Sequence, residues 1–472
     1  MDLQGFGELM MENLPFEPTD QQIQLIAALT RYCSAYTAGQ DRVFILNGYA
    51  GTGKTSVMGA LVRSLQAVAM PTVLLASTGR AAKVLSAFTG KPAFTIHRYI
   101  YNAPAVTPDG RVYASVKHNP HRNTVFIVDE ASMIGDDEYG AQGSLLKDLL
   151  LYVFSGVNCR LILVGDTAQL PPVGFEESPA MTPEAFKRMG MSVTRATMTK
   201  TVRQKARSGI LYNATSLRRS MLEVPLPVPS LRVRGFGDVA VVEPESLQEV
   251  LEDELRERGA DQVLLITRSN RRAVDFNLAI RSIIYEHEEM LAPGERLMIA
   301  KNNYYWTRGH EQIDFIANGE VAVVEKIYGT EERAGCLFAN VELNLPEKGF
   351  TIDAKLSLDC LTSDQAALGR KKLQALANQA LYEDGRLQAS PTAQRDTLRK
   401  DPYYNALQVK YAYAVTCHKA QGGQWASVFV DMGYIPPEAY RTLDLYRWLY
   451  TAVTRATTRL YLINPTIPVD GA

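Results

Sequence analysis

The sequence predicts an α/β protein of two domains in tandem, each built on a parallel sheet, and three observations carry that expectation. Four short apolar runs (Arg42 to Asn47, Thr72 to Ala76, Thr124 to Asp129 and Arg160 to Asp166) are separated by helix-like stretches. Runs that are apolar on both faces suit strands buried inside a parallel sheet. A second series opens with DQVLLITRSN, Asp261 to Asn270, and resumes with LQVKYAYAV, SVFVDM and RLYLIN. Between the series, VPLPVPS (Val224 to Ser230) alternates proline with other residues and reads as a stiff connector or as an edge loop.

The expected boundaries follow. Residues 1–205 form the first α/β domain, 206–235 a linker, and 236–300 with 405–472 the second domain. Residues 301–404 are an insert: FIANGEVAVVEKI and LFANVELNL alternate as antiparallel strands do, and a polar helical stretch runs from Ser363 to Arg399. A smaller insert at about 95–122 contains APAVTPDGRVYASVK, where Pro108-Asp109-Gly110 marks a turn between short β-prone runs and predicts a protruding hairpin.

Composition bounds the function. Hydrophobic residues make up 46% and charged residues 21%, an ordinary globular balance. No apolar run is long enough to span a bilayer, and the first residues, MDLQGFGELMMENL, lack the basic-then-apolar order of a secretory signal. The five cysteines form no CxxC pair, which suits a reducing, cytoplasmic setting and argues against a zinc site or a disulfide framework. Net charge is −1, so any polyanion must be held in a local groove.

GYAGTGKT, Gly48 to Thr55, is the strongest local signal. It matches G-x-x-x-x-G-K-[ST] between a strand and a helix, the context a phosphate-binding loop requires. Glycines let the backbone wrap phosphates, and the amides plus the helix N-terminus supply positive potential. Gly48, Ala50, Gly51, Thr52, Gly53, Lys54, Thr55 and Ser56 are therefore expected to bind ATP, with Lys54 on the terminal phosphates and Thr55 on Mg²⁺. VFIVDEAS ends a strand in two carboxylates, with Asp129 expected to hold Mg²⁺ and Glu130 to activate the attacking water. Gln22 sits three residues after Thr19 and reads as part of a capping box, as a reader of the adenine edge, or as both. Gln169, in GDTAQLPPV, is a candidate γ-phosphate sensor or a plain strand-end loop residue.

Taken in chain order, PTDQQ, GYAGTGKT, LLASTGRAAKVLSAFTGKPAFTIH, VFIVDEASM, LILVGDTAQLPPV, TKTVRQ, YAVTCHKAQGGQWASVFV and LYTAVTRAT resemble the motifs of superfamily 1 helicases. The resemblance is greatest to the RecD/Dda-type group, which moves 5′→3′ on DNA, and it covers about 15–215, 260–300 and 405–465. It implies two RecA-like P-loop NTPase domains, with a strand-separating pin as the first insert and an SH3-like β module as the second. It implies that Arg203 and Arg455 are arginine fingers meeting the γ-phosphate, each with a surface salt bridge as its plain alternative. For the track it implies single-stranded DNA and single/double-strand junctions, contacted by Ser77, Thr78, Lys83, Phe94, Thr95, His97, Thr416, His418, Lys419 and Gln421. Tyr99 and Tyr101 read equally as base-stacking groups or as hairpin-root packing, and Asn277 is ambiguous between a contact and helix surface.

The expected activity is ATP-driven unwinding by a monomer, with partners among replication, recombination or repair proteins. The alternatives are a RecD-like motor subunit of an exonuclease complex, an RNA-directed superfamily 1 helicase, and a nucleic-acid-binding ATPase switch that does not translocate.

Overall fold

The chain is described here from a computed structural model, which covers residues 3–34, 42–102, 105–106, 112–135, 143–201, 208–310 and 315–471. Its first lobe is a six-stranded sheet in the order Ala93–Thr95, Thr72–Ala76, Val125–Asp129, Arg160–Gly165, Arg42–Gly48 and Ser192–Met198. Every neighbouring pair in it is parallel. Successive side chains of one strand go to opposite faces, and the core divides accordingly. Val43, Ile45, Phe126, Val128, Leu161 and Leu163 lie in one apolar cluster, and Phe44, Leu46, Val125, Ile127, Ile162 and Val164 in the cluster on the other side. This is why the four runs looked uniformly apolar in sequence. The edge strands Ala93–Thr95 and Ser192–Met198 are only partly buried and gave no such signal.

The second lobe is a five-stranded, all-parallel sheet in the order Val239–Val242, Ala456–Ile463, Trp425–Asp431, Val263–Thr267 and Ala414–Thr416. Inserted into it is a closed barrel of Arg296–Ile299, Val321–Arg333, Cys336–Leu345, Phe350–Ser357 and Leu407–Tyr411. One apolar cluster runs unbroken from Val263, Leu265 and Phe429 of the sheet into Leu297, Ala322, Val341 and Leu407 of the barrel. The barrel thus shares a core with the second lobe. Its strands begin before 301 and end after 404, and the run LQVKYAYAV is divided between two sheets. Leu407–Tyr411 closes the barrel, and Ala414–Thr416 joins the lobe's sheet. Helices Arg370–Glu383 and Pro391–Lys400 lie between the last two barrel strands.

The segment expected as a linker is structured. Helix Gly209–Ser220 contributes Ile210, Ala214 and Leu217 to the core of the second lobe. Leu231–Arg232 pairs in parallel with Val469–Asp470. In the first insert, Ala105–Val106 pairs antiparallel with Val112–Tyr113, while the Thr107 to Arg111 tip lies outside the described residues. No helix among the described residues is long and apolar enough to cross a membrane.

Candidate functional site

The phosphate loop follows the buried strand Arg42–Gly48 and opens the helix Lys54–Ala67. Gly53 caps that helix in the left-handed conformation, φ 84, and gives it no side-chain cap. The first amides are thereby left to an anionic ligand, the arrangement that makes a helix N-terminus an anion site. Thr52 is buried, with its N–H and hydroxyl both turned back onto Tyr49 O at 3.3 and 2.7 Å. Lys54 Nζ donates to Gly48 O and lies 3.8 Å from Asp166 Oδ2. Thr55 and Ser56 are half-buried at the helix start.

Gln22 is fully buried. Its Oε1 accepts from Thr19 N at 2.9 Å, its own N–H donates to Thr19 Oγ1 at 3.4 Å, and its Nε2 donates to Thr52 O at 3.2 Å. The capping box is therefore present, and the side-chain amide also braces the loop.

Asp129 and Glu130 end the neighbouring strand, as the sequence placed them. Glu130 takes a left-handed backbone, φ 51, which turns it off the strand direction, and its carbonyl accepts from Ser77 Oγ at 2.8 Å. Asp129 Oδ1 accepts from the Glu130 amide at 2.9 Å. Burial first, and then the adjacent Glu130 carboxylate, push the Asp129 carboxyl up to about 6. Gln169 is 6% exposed, and its buried Oε1 finds no partner among the described residues.

The second lobe closes the other side of this site, through a residue the sequence reading missed. Tyr450, in helix Leu443–Val453, accepts from Ala50 N at 2.8 Å and donates to Asp166 Oδ2 at 2.7 Å. The next residue, Thr451, accepts from Leu170 N at 2.8 Å. Arg455 hydrogen-bonds to Thr451 O, Gly423 O and Thr454 Oγ1 within its own lobe, and none of these bonds reaches the phosphate loop. Arg203 lies outside the described residues. Arg218, also missed, stands 4.4 Å over the Tyr49 ring and donates to Thr199 O at 3.2 Å. No local signal marks Tyr450 or Arg218, because each reaches the loop only by tertiary packing.

On the far side of the cleft, both lobes and the barrel line a groove of about 850 Å³. Of the candidate contacts, Thr78, Lys83, Phe94, Thr95, His418, Lys419 and Gln421 line it; Ser77, His97 and Thr416 do not. Six basic side chains (Arg80, Lys83, Lys91, Arg98, Lys348 and Lys419) face two acidic ones, Glu320 and Glu347. A nearly neutral chain thus concentrates positive charge in one place. Thr78 and Thr95 also cap helices, accepting from Ala81 N at 3.2 Å and Arg98 N at 3.3 Å. Lys419 Nζ donates to Asn318 of the barrel, and the Arg80 guanidinium lies 3.9 Å over Trp425 of the second lobe. Gln421 Nε2 donates to Leu170 O at 2.7 Å, so a groove residue holds the backbone next to Gln169.

Three other candidates have partners within the first or second lobe. Tyr99 and Tyr101 bond His121 and Asp148, each at 2.8 Å. Asn277 is buried, donating to Ala273 O and Ala414 O and accepting from Tyr413 N and Ala414 N.

Fold and site together set a glycine loop of the phosphate-binding pattern at the start of a helix and face it with a second α/β lobe. The profile of the AAA domain matches residues 25–223, and that of the UvrD-like helicase C-terminal domain matches 411–463. The two matches fall in the chain order that the resemblance to superfamily 1 helicases of the RecD/Dda type implies. It is 25% identical to the ATP-dependent RecD2 DNA helicase of Deinococcus radiodurans over 438 residues, covering 89% of this chain and 46% of that protein. It is 25% identical to the ATP-dependent DNA helicase dda of Enterobacteria phage T4 over 442 residues, covering 89% of this chain and 93% of that one. It thus spans less than half of the first relative and nearly all of the second. Among solved structures, two coordinating Pif1 helicases unwinding forked double-stranded DNA align over 95% of this chain and 92% of theirs, at 14% identity and TM-score 0.46.

Proposed function

We infer that this chain is an ATP-dependent DNA helicase that travels on single-stranded DNA in the 5′→3′ direction and unwinds duplex ahead of it. One observation carries the coupling. The Leu170 backbone, beside Gln169 of the nucleotide site, is held at its N–H by Thr451 and at its carbonyl by the groove residue Gln421. A shift of the second lobe against the nucleotide site therefore moves the groove wall with it. Each cycle yields a step because the nucleotide binds the closed and open arrangements with different affinity.

In this reading the loop from Gly48 to Ser56 holds the triphosphate. Glu130 takes the proton from the attacking water, and Gln169, with its unpartnered Oε1, senses the terminal phosphate. Mg²⁺ fits the donor set, since Asp129 is a crowded carboxylate whose charge a cation would stabilise. Thr55 and Asp129 would hold it, and it would neutralise phosphate charge. Arg455 reaches the phosphates as a finger once it exchanges its bonds to Thr451 O and Gly423 O, and Arg203 is its counterpart from the first lobe. Thr78, Lys83, Phe94, Thr95, His418, Lys419 and Gln421 contact the DNA backbone and bases. The barrel acts as the SH3-like module that covers the strand, and the hairpin acts as the pin. A monomer suffices, because both lobes of the site lie in one chain.

Strand displacement on duplexes bearing a 5′ or a 3′ tail tests this reading. The wild-type chain should release the strand from the 5′-tailed substrate with ATP, and the K54A variant should release none. Displacement of neither substrate, or ATPase activity stimulated by RNA and not by DNA of the same sequence, would overturn it.

A further inference from the structure

Resting on the reading of the glycine loop as the nucleotide site, we propose that Tyr450 is a nucleotide-displaced latch between the lobes. Its hydroxyl occupies a bonding position on the phosphate loop that the triphosphate must claim.

The geometry is specific. Ala50 is the third residue of GYAGTGKT, and its N–H is spent on Tyr450 Oη at 2.8 Å. The same hydroxyl donates to Asp166 Oδ2 at 2.7 Å, the carboxylate oxygen that lies 3.8 Å from Lys54 Nζ. Tyr450 is 1% exposed, so these bonds are sealed from water, and Asp166 is equally buried. A lone packing tyrosine needs one partner for its hydroxyl; this one has two, both on the lobe that carries the glycine loop, and one of them stands beside Lys54. Burial, and next Asp166, also hold the phenol firmly neutral, so it remains a donor to that carboxylate.

The consequence is an exchange. A triphosphate seated on the loop draws Ala50 N–H and Lys54 toward its oxygens. Tyr450 then loses its acceptor role, and the helix that carries it is freed to move relative to the first lobe. Arg455 lies five residues on, just past that helix, with its guanidinium held in reserve by Thr451 O and Gly423 O. Nucleotide entry is thereby linked to release of the segment that bears the finger. Tyr450 acts through the loop and is a positioning residue.

The substitution Tyr450→Phe keeps the ring and removes both bonds. With the competitor gone, the full-length variant should bind a fluorescent ADP analogue about fivefold more tightly, the change in an equilibrium constant that one net hydrogen bond supplies. KM for ATP should fall while kcat does not rise, and fewer base pairs should be displaced per ATP. Thr451→Val serves as the comparison, because it loosens the same interface at Leu170 without freeing Ala50, and its affinity for the analogue should match wild type. Unchanged or weaker binding by folded Tyr450→Phe overturns the latch, and so does an equal gain in both variants, which would reflect general loosening. If Tyr450→Phe does not fold, protection of the Ala50 amide from hydrogen exchange in the wild-type chain decides: the latch requires protection, and free exchange without nucleotide overturns it. Wild-type chain that binds no analogue at all would instead sink the nucleotide-site reading itself.

Discussion

Both lobes are parallel α/β sheets, and they differ in how the helix after one central strand begins. In the first, the helix after strand Arg42–Gly48 begins at Gly53, with a left-handed backbone and no side-chain cap. In the second, strand Val263–Thr267 leads to a helix capped by Ser269, whose side chain accepts from Arg272 N. A serine cap satisfies an orphan amide from within the chain, whereas an uncapped glycine turn leaves the amides to a ligand. The first lobe is thus built to bind an anion at this point and the second is built to be complete there. The second lobe supplies side chains across the cleft instead, and Tyr450 makes the contact.

The sharpest way to break this comparison is Lys54→Ala. Loss of the ammonium from the uncapped loop should reduce ATP hydrolysis at least about 10³-fold with the circular dichroism spectrum unchanged; retained hydrolysis would mean that the loop is not the site. Glu130→Gln should lower kcat by about 10²–10⁴ with nucleotide affinity preserved, as removal of a general base does. Near-normal turnover in steady-state assays would assign the base elsewhere.

Smaller effects sharpen the contrast through stability. The Asp129 carboxyl is raised to about 6. For such a group the favourable contribution is complete below the unfolded value of about 4 and is lost as pH rises through about 6. Asp129→Asn should therefore be more stable than the parent by about 1–2 kcal/mol above pH 7, with the gain vanishing near pH 4. Melting temperature against pH reads this directly, and a gain that persists at pH 4 would assign it to something other than the charge. Ser269→Ala should cost about 1 kcal/mol in denaturant melts, the usual worth of a cap, while leaving nucleotide affinity unchanged. A change in affinity with no change in stability would place a ligand at the second lobe's helix as well.

Local chemistry was legible and long-range packing was not. The cradle, the Asp129–Glu130 pair and the first-lobe strands each lie within a few residues, where spacing alone fixes the outcome. The barrel's limits were misjudged because Leu407–Tyr411 and Ala414–Thr416 are separated by two residues and equally apolar, yet belong to different sheets. The segment 206–235 looked like a linker because its helix is polar on one side and its prolines dominate the rest, although Ile210, Ala214 and Leu217 pack into the lobe. Asn277 was open between a contact and exposed helix surface, and is a buried clamp on the backbone at Tyr413 and Ala414.

The sequence by itself determined that a triphosphate-binding loop precedes a helix, that carboxylates end a neighbouring strand, and that two parallel sheets exist. These follow from backbone conformations and side-chain alternation that act over single turns and strands. Tertiary structure alone decided which second-lobe residue meets the loop: of a tyrosine and an arginine five positions apart, packing turns the tyrosine outward to Ala50 and the arginine inward to Gly423. It alone also gathered the scattered basic residues of three modules into one groove, since charge along a nearly neutral chain becomes a local field only when folding brings its carriers together.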